Sequence, residues 1–158
     1  MKLSPSAQKV QDVLHQKGFG HLRVQELSAS TRTAQEAANA VGCTVGQIVK
    51  SLIFRGAISG QPYLLLVSGA NRVDTHRIEA DLGEKLVKPD GDYVRSVTGF
   101  AIGGVPPVGH AQQLEALIDP DLLQYERIYA AAGTPFALFG LSPNELLALT
   151  GGRIMRMT

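Results

Sequence analysis

The chain has 158 residues, with 15 Lys plus Arg against 14 Asp plus Glu and a formal net charge of +1. At 44% hydrophobic and 18% charged residues it can bury a core, which excludes a disordered chain. The near-balanced charge argues against gripping long nucleic acid by its phosphates, yet leaves room for a local basic patch that holds a short nucleic-acid end.

In chain order, Ser4-Pro5 predicts a helix start, and Val10, Val13 and Leu14 follow at helical spacing before Gly18 closes it. Residues 21–27 alternate as a short strand would. Thr33-Ala34-Gln35-Glu36 is a capping box, and the alanine-rich helix behind it stops at Gly42. Residues 48–54 and 63–67 read as paired strands joined by a turn with two glycines. Asp74 caps a helix running to about Leu82, and Asp90 caps a shorter one ending at Gly99.

Phe100-Ala101-Ile102 reads as a buried strand. Residues 114–118 and 127–132 read as strands around the turn Asp119-Pro120-Asp121, and residues 136–141 as a further strand. Ser142-Pro143-Asn144-Glu145 starts another helix, and residues 153–157 finish as an edge strand. Hairpins dominate the middle, without a clean βαβ alternation. The expectation is a mixed α/β (α+β) fold, one compact domain over residues 1–158, with a curved sheet rather than a doubly wound one.

Cys43 is the only cysteine, so neither an intramolecular disulfide nor a Cys-based zinc cluster can form. No apolar run is long enough to cross a bilayer, and the start Met1-Lys2-Leu3-Ser4-Pro5 lacks the apolar core of a secretory signal. A cytoplasmic location is the default expectation. The histidines, His15, His21, His76 and His110, show no metal-ligand spacing, so neither a metal nor another cofactor is expected. With no Trp, base stacking along an extended single strand is not expected either.

Two features point to chemistry. Gly103-Gly104-Val105-Pro106-Pro107-Val108-Gly109 is a stiff loop able to bring main-chain N–H groups close to a ligand oxygen. Lys50 is a lone cation in the apolar run Ile48-Val49-Lys50-Ser51-Leu52-Ile53-Phe54. Such a lysine pairs with a carboxylate, points into a cavity, or reaches solvent from an edge strand. The loop is equally readable as a rigid turn, and it matches neither the dinucleotide nor the phosphate-loop pattern. Ala131-Ala132-Gly133-Thr134-Pro135 is a small-residue turn with a hydroxyl. Ser68, Asn71 and Arg72, between a strand and a helix, either orient a polar ligand or only turn the chain. His110, directly after the glycine loop, is the histidine to test as a general base.

Taken together, Thr33-Ala34-Gln35-Glu36-Ala37-Ala38, Ile48-Val49-Lys50-Ser51-Leu52, Ile102-Gly103-Gly104-Val105-Pro106-Pro107-Val108-Gly109 and Ala131-Ala132-Gly133-Thr134-Pro135 resemble the YbaK/ProX family. Its members are freestanding relatives of the editing domain inserted in bacterial prolyl-tRNA synthetases. The resemblance implies a strongly curved, barrel-like sheet flanked by helices. It also implies a trans-acting editing deacylase that hydrolyses the ester of mischarged aminoacyl-tRNA, with a small or hydroxylated amino acid on tRNA for proline or a related tRNA. The implied partners are the 3′ acceptor end of aminoacyl-tRNA and an aminoacyl-tRNA synthetase. Lys50 then stands at the family's essential lysine, with Gly103 and Gly104 at the scissile ester. Ser51, Ser68, Val105, Pro106, Gly133 and Thr134 surround the aminoacyl unit, and Arg72 touches the tRNA. Relatives often carry Ser-Pro in place of Pro106-Pro107. The alanine-editing branch has Asn and a late His where this chain has Ser51 and Thr134, so that branch's substrate does not carry over. The rival readings are a non-catalytic module binding an aminoacyl or nucleotide end, and a hydrolase of small esters unrelated to tRNA.

Overall fold

The computed structural model describes residues 2–158. Its helices begin where side chains meet the orphan N–H groups of a first turn. Thr33 accepts from Glu36 N at α2 (Ala34–Val41), Asp74 from His76 N at α3 (Thr75–Leu82), and Asp90 from Tyr93 N at α4 (Gly91–Thr98). At α5 (Pro143–Thr150), Ser142 and Glu145 close a full capping box. The first helix, α1 (Pro5–Gln16), begins differently. The Ser4 hydroxyl donates to the Glu26 carboxylate at 2.8 Å instead of capping its own helix.

The strands are β1 (Gln25–Glu26), β2 (Ile48–Gly56), β3 (Pro62–Ser68), β4 (Leu86–Val87), β5 (Glu115–Ile118), β6 (Ile128–Ala131), β7 (Ala137–Leu141) and β8 (Arg153–Ile154). They form one mixed sheet in the order β1-β7-β6-β2-β3-β5-β8, with β4 also pairing β2. The expected pairing of the strands over 48–54 and 63–67 is present, whereas β5 and β6, on either side of the turn at Asp119, do not pair with each other. β2 pairs β3 antiparallel with Lys50 opposite Val67, and β6 pairs β7 antiparallel. Between them the sheet is parallel, because β2 meets β6 and β3 meets β5 in the same direction.

Both faces of the sheet are covered, and the alternation along β2 shows by what. Val49 and Ile53 join the main core with Ala7, Val10 and Leu14 of α1, Val94 and Val97 of α4, and Leu146 and Leu149 of α5. On the opposite face, Ile48 packs with Ala37 and Ala38 of α2. Leu52 and Phe54 pack with Ile78 of α3, Met155 and Met157. Side chains alternate along a strand, so Lys50 falls on this second face, between two apolar clusters.

Four expected elements differ, among them the edge strand over 153–157, which is reduced to Arg153–Ile154. Residues 100–102 are not a strand: Phe100 is buried in the main core, while Ile102 is 60% exposed in a turn. The strand expected over 21–27 is reduced to Gln25–Glu26, because its neighbours bond to loops. The turn at Asp119-Pro120-Asp121 opens a 3-10 helix, Pro120–Gln124.

The tip of the β2–β3 hairpin is organised by one carboxylate. Glu84 accepts from Ile58 N and Ser59 N at 2.9 and 3.0 Å, and from the hydroxyls of Ser59 and Tyr63 at 2.7 and 3.0 Å. These donors, the Ser59 amide foremost, hold its pKa down to about 2 from the ordinary 4.5. The folded value lies below the unfolded one, so the contribution is complete above pH 4.5 and disappears as pH falls towards about 2. The protection of the Ile58 and Ser59 amides, measured relative to the intrinsic exchange rate at each pH, is expected to fall across that window in the wild type. Glu84→Ala, which removes both acceptor oxygens, should show weak protection at those amides at neutral pH as well, and unchanged protection in that variant would disprove the role.

Candidate functional site

Lys50, on the second face of β2, stands where the strand is incomplete on one edge. There β2 pairs β6 only through Ile48 and Val49, and β4 only through Arg55 and Gly56. On that edge, opposite β3, no described strand pairs with residues 50–54, and a cavity of about 580 Å³ opens in the gap. That volume suits a small-molecule moiety rather than an extended polymer. One wall is Lys50, Ser51 and Leu52. The other is Tyr129, Ala130 and Ala131 of β6, and the glycine loop closes over it with Ile102, Gly103 and Val105. The entry to α2, from Thr31 to Ala34, completes the rim.

Lys50 and Gly103, far apart along the chain, therefore line one cleft. The Lys50 ammonium donates to the main-chain carbonyl of Asn71. Burial, first, and the nearby Arg72 guanidinium lower its pKa below the ordinary lysine value, while the Asp119 carboxylate opposes them. Gly103 has φ +95°, and a Cβ there would lie 3.2 Å from the Arg32 side chain. Among the described residues its N–H has no acceptor. No carboxylate, imidazole or thiol lines the cleft, so its charged lining groups are the cations Lys50 and Arg32.

Val105 and Ser51 also line the cleft as expected, and the Ser51 hydroxyl, like that of Thr31, has no hydrogen-bond partner among the described residues. Other expected site residues stand elsewhere. The Gly104 N–H is committed to Ala101 O at 3.1 Å, and its carbonyl accepts from Gly133 N at 2.8 Å. Gly104 and Gly133 thus clamp two turns together behind the cleft rather than lining it. The Thr134 hydroxyl accepts from Phe136 N within its own turn. Ser68 is buried, its hydroxyl donated to Gly46 O at 2.7 Å. Pro106 is buried and its carbonyl accepts from His110 Nε2 at 2.6 Å. His110 lines a second, separate depression of about 430 Å³, and burial lowers its pKa. It does not reach the cleft. Arg72 is exposed, in the turn whose Asn71 holds Lys50.

Sequence reasoning passed over Thr31, Arg32 and Tyr129. A signal existed for Arg32: it immediately precedes the helix cap Thr33, where the helix dipole disfavours a cation. A guanidinium kept in that place suggests an anion nearby. Thr31 reaches the cleft through a bond from its N–H to Pro135 O, which no local pattern announces.

Among the described residues no three His, Cys, Asp or Glu side chains cluster as metal ligands would, and no helix is long and apolar enough to cross a membrane.

The chain is 32% identical over 123 residues to the uncharacterised protein YwhH of Bacillus subtilis (strain 168), covering 78% of each. It is 27% identical over 127 residues to an Enterococcus faecalis (strain ATCC 700802 / V583) protein named, provisionally, Cys-tRNA(Pro)/Cys-tRNA(Cys) deacylase EbsC, covering 80% of this chain and 77% of that one. A crystal structure described, again provisionally, as a trans-editing enzyme for prolyl tRNA synthetase superposes with a TM-score of 0.94 at 56% identity over 99% of both chains. The model of the aminoacyl-tRNA editing domain matches residues 28–149, a span that takes in every residue lining the cleft. The chain belongs to the aminoacyl-tRNA editing domain family.

Proposed function

We propose that this protein is a trans-acting deacylase, and that the cleft at the open edge of β2 is where it hydrolyses the ester of mischarged aminoacyl-tRNA. The observation that carries the reading is the meeting of Lys50 and Gly103 on one small cavity whose lining, among the described residues, holds no carboxylate, imidazole or thiol. Water attacks the ester carbonyl, and its oxygen gathers negative charge in the tetrahedral transition state. The free N–H of Gly103 and the Lys50 ammonium are the donors available to that charge, and one such donor is worth ~3 kcal/mol of barrier. No carboxylate, imidazole or thiol in the cleft can take the proton from water. The ribose hydroxyl next to the ester on the tRNA itself relays it, taking water's proton while passing its own to the departing ribose oxygen, so that the acyl C–O bond breaks to give the free amino acid and the tRNA diol.

Arg32 at the rim and Arg72 beyond it offer positive charge to the phosphates of the acceptor end. The modest cavity favours a small or hydroxylated amino acid. Editing of such units is needed because a single methylene gives a synthetase only ~1–3 kcal/mol of discrimination. Two relatives support the choice of tRNA, one named for Cys-tRNA(Pro) and Cys-tRNA(Cys), the other for prolyl-tRNA synthetase. The proposed substrates are therefore mischarged tRNA for proline or a related tRNA, with the cognate synthetase as partner.

The test is a panel of tRNAs charged with Ala, Ser, Thr, Cys and Pro, with the surviving ester followed over time. Hydrolysis of at least one of the non-prolyl species above background, inhibited by uncharged tRNA, is the expected result. Activity without such inhibition would point to a hydrolase of small esters. An inert panel would leave a binding module in place of an enzyme.

A further inference from the structure

Behind the turn that holds Lys50 lies a carboxylate with no part in the cleft. Asp119 is 2% exposed and stands just after β5, where it opens the 3-10 helix. Its Oδ2 accepts from Ser68 N at 3.0 Å and from Asn71 Nδ2 at 2.9 Å, and its Oδ1 from Asp121 N at 2.9 Å. Asn71 is braced further, because its Nδ2 also donates to Asp121 Oδ2 at 2.7 Å and its N–H to Ser68 O at 2.9 Å. The main-chain carbonyl of that same Asn71 receives the Lys50 ammonium.

A buried carboxylate is costly to desolvate and persists only when donors surround it, as they do here. Closing a turn does not by itself require a charge, since a neutral Asn or Ser side chain also accepts main-chain N–H groups. What a charge adds is an attraction that reaches past its hydrogen-bond partners. Arg72 on the same turn and Asp119 from beyond β5 act on the Lys50 amine, and Arg32 lines the same cleft from the rim before α2. Asp119 is the only anion of the three, and its field opposes the effects of burial and of Arg72 on the lysine.

We infer that Asp119 is a positioning residue for Lys50: through Asn71 it fixes the carbonyl on which the ammonium rests, and its charge keeps that ammonium in place at the wall of the cleft. The kinetic side of this inference rests on the deacylase reading; the electrostatic side does not.

The experiment has two arms. In the enzyme without substrate, the Lys50 amine is titrated through its 13Cε shift, assigned with Lys50→Arg. Steady-state kinetics follow on the best ester of the panel. Asp119→Asn removes the charge at nearly unchanged volume, although its amide nitrogen must face a donor that one carboxylate oxygen accepted from, so the amine is expected to titrate at lower pH than in the wild type. Its kcat is expected to fall by on the order of tenfold to a hundredfold with little change in KM. A loss of kcat with the titration unmoved would make Asp119 a residue of the fold alone and overturn the inference. A shifted titration with full kcat would overturn it equally. If Asp119→Asn does not fold, Asn71→Ala retains the carbonyl but cuts it from the carboxylate, and it must lower kcat at unchanged KM for the inference to stand. If the wild type hydrolyses no ester, the deacylase reading fails, and the titration alone decides whether the carboxylate controls the amine.

Discussion

Lys50→Ala is expected to reduce kcat by on the order of 10²- to 10³-fold, the usual consequence of removing a group preorganised towards developing negative charge. The fold should survive. The ammonium makes one hydrogen bond, to the Asn71 carbonyl, and an ordinary hydrogen bond contributes about 1 kcal/mol. Thermal unfolding should therefore move by only about 2–4 °C. Full activity in this variant would remove Lys50 from the mechanism. The wild-type pH profile offers a second check. Burial and Arg72 hold the Lys50 pKa below that of an ordinary lysine, so an activity that needs the ammonium must decline on the alkaline side before pH 10.5. The comparison must be made after subtracting spontaneous ester hydrolysis, which rises with pH.

Gly104→Ala should damage the protein in a different way. An added Cβ would sit 2.9 Å from Thr134 N and 3.0 Å from both Gly133 C and Thr134 C. All three are main-chain atoms, which cannot rotate aside as a side chain would. The two turns must part, at a cost of about 1–3 kcal/mol typical of overpacking. That corresponds to a melting temperature lower by roughly 2–4 °C per kcal/mol. Because Gly103 is the next residue, its free N–H shifts too, and kcat should fall with it. Gly103→Ala makes an informative contrast. Its new Cβ meets only the flexible Arg32 side chain at 3.2 Å, although φ +95° adds backbone strain. If Gly104→Ala leaves both melting and turnover unchanged, the clamp between the turns is not what shapes the cleft.

Local chemistry was the legible part of the sequence. Thr33, Asp74, Asp90 and Ser142 cap the helices they were expected to cap, because a cap is settled within about one turn. The β2–β3 pair was legible from its apolar runs and short connection. Phe100 to Ile102 misled because apolar content does not tell a strand from a single anchor. Phe100 plugs the core, Gly99 ends α4 in the left-handed conformation, and the Thr98 hydroxyl bonds Phe100 at both its N–H and its carbonyl.

The cleft follows the same division. Lys50 stood out as a charge in an apolar strand, and Gly103 as part of a rigid loop. Ser68 looked available at a strand end, but its hydroxyl is taken by Gly46, 22 positions away. Thr134 looked like a pocket hydroxyl and instead closes its own turn. Arg32 and Thr31 depend on how the segment before α2 docks beside β7, where Leu27 N bonds Phe136 O and Thr31 N bonds Pro135 O. Those are non-local events, and nothing in residues 27–32 alone encodes them.

The missing neighbour along residues 50–54 of β2 has a consequence for engineering this protein. Lengthening β6 or β4 to continue the ladder would satisfy more of the main chain and raise the melting temperature, while filling the space in which we propose the ester is held. Selection for heat resistance alone should thus enrich variants that are sturdier and silent, whereas selection for turnover should keep the seam ajar.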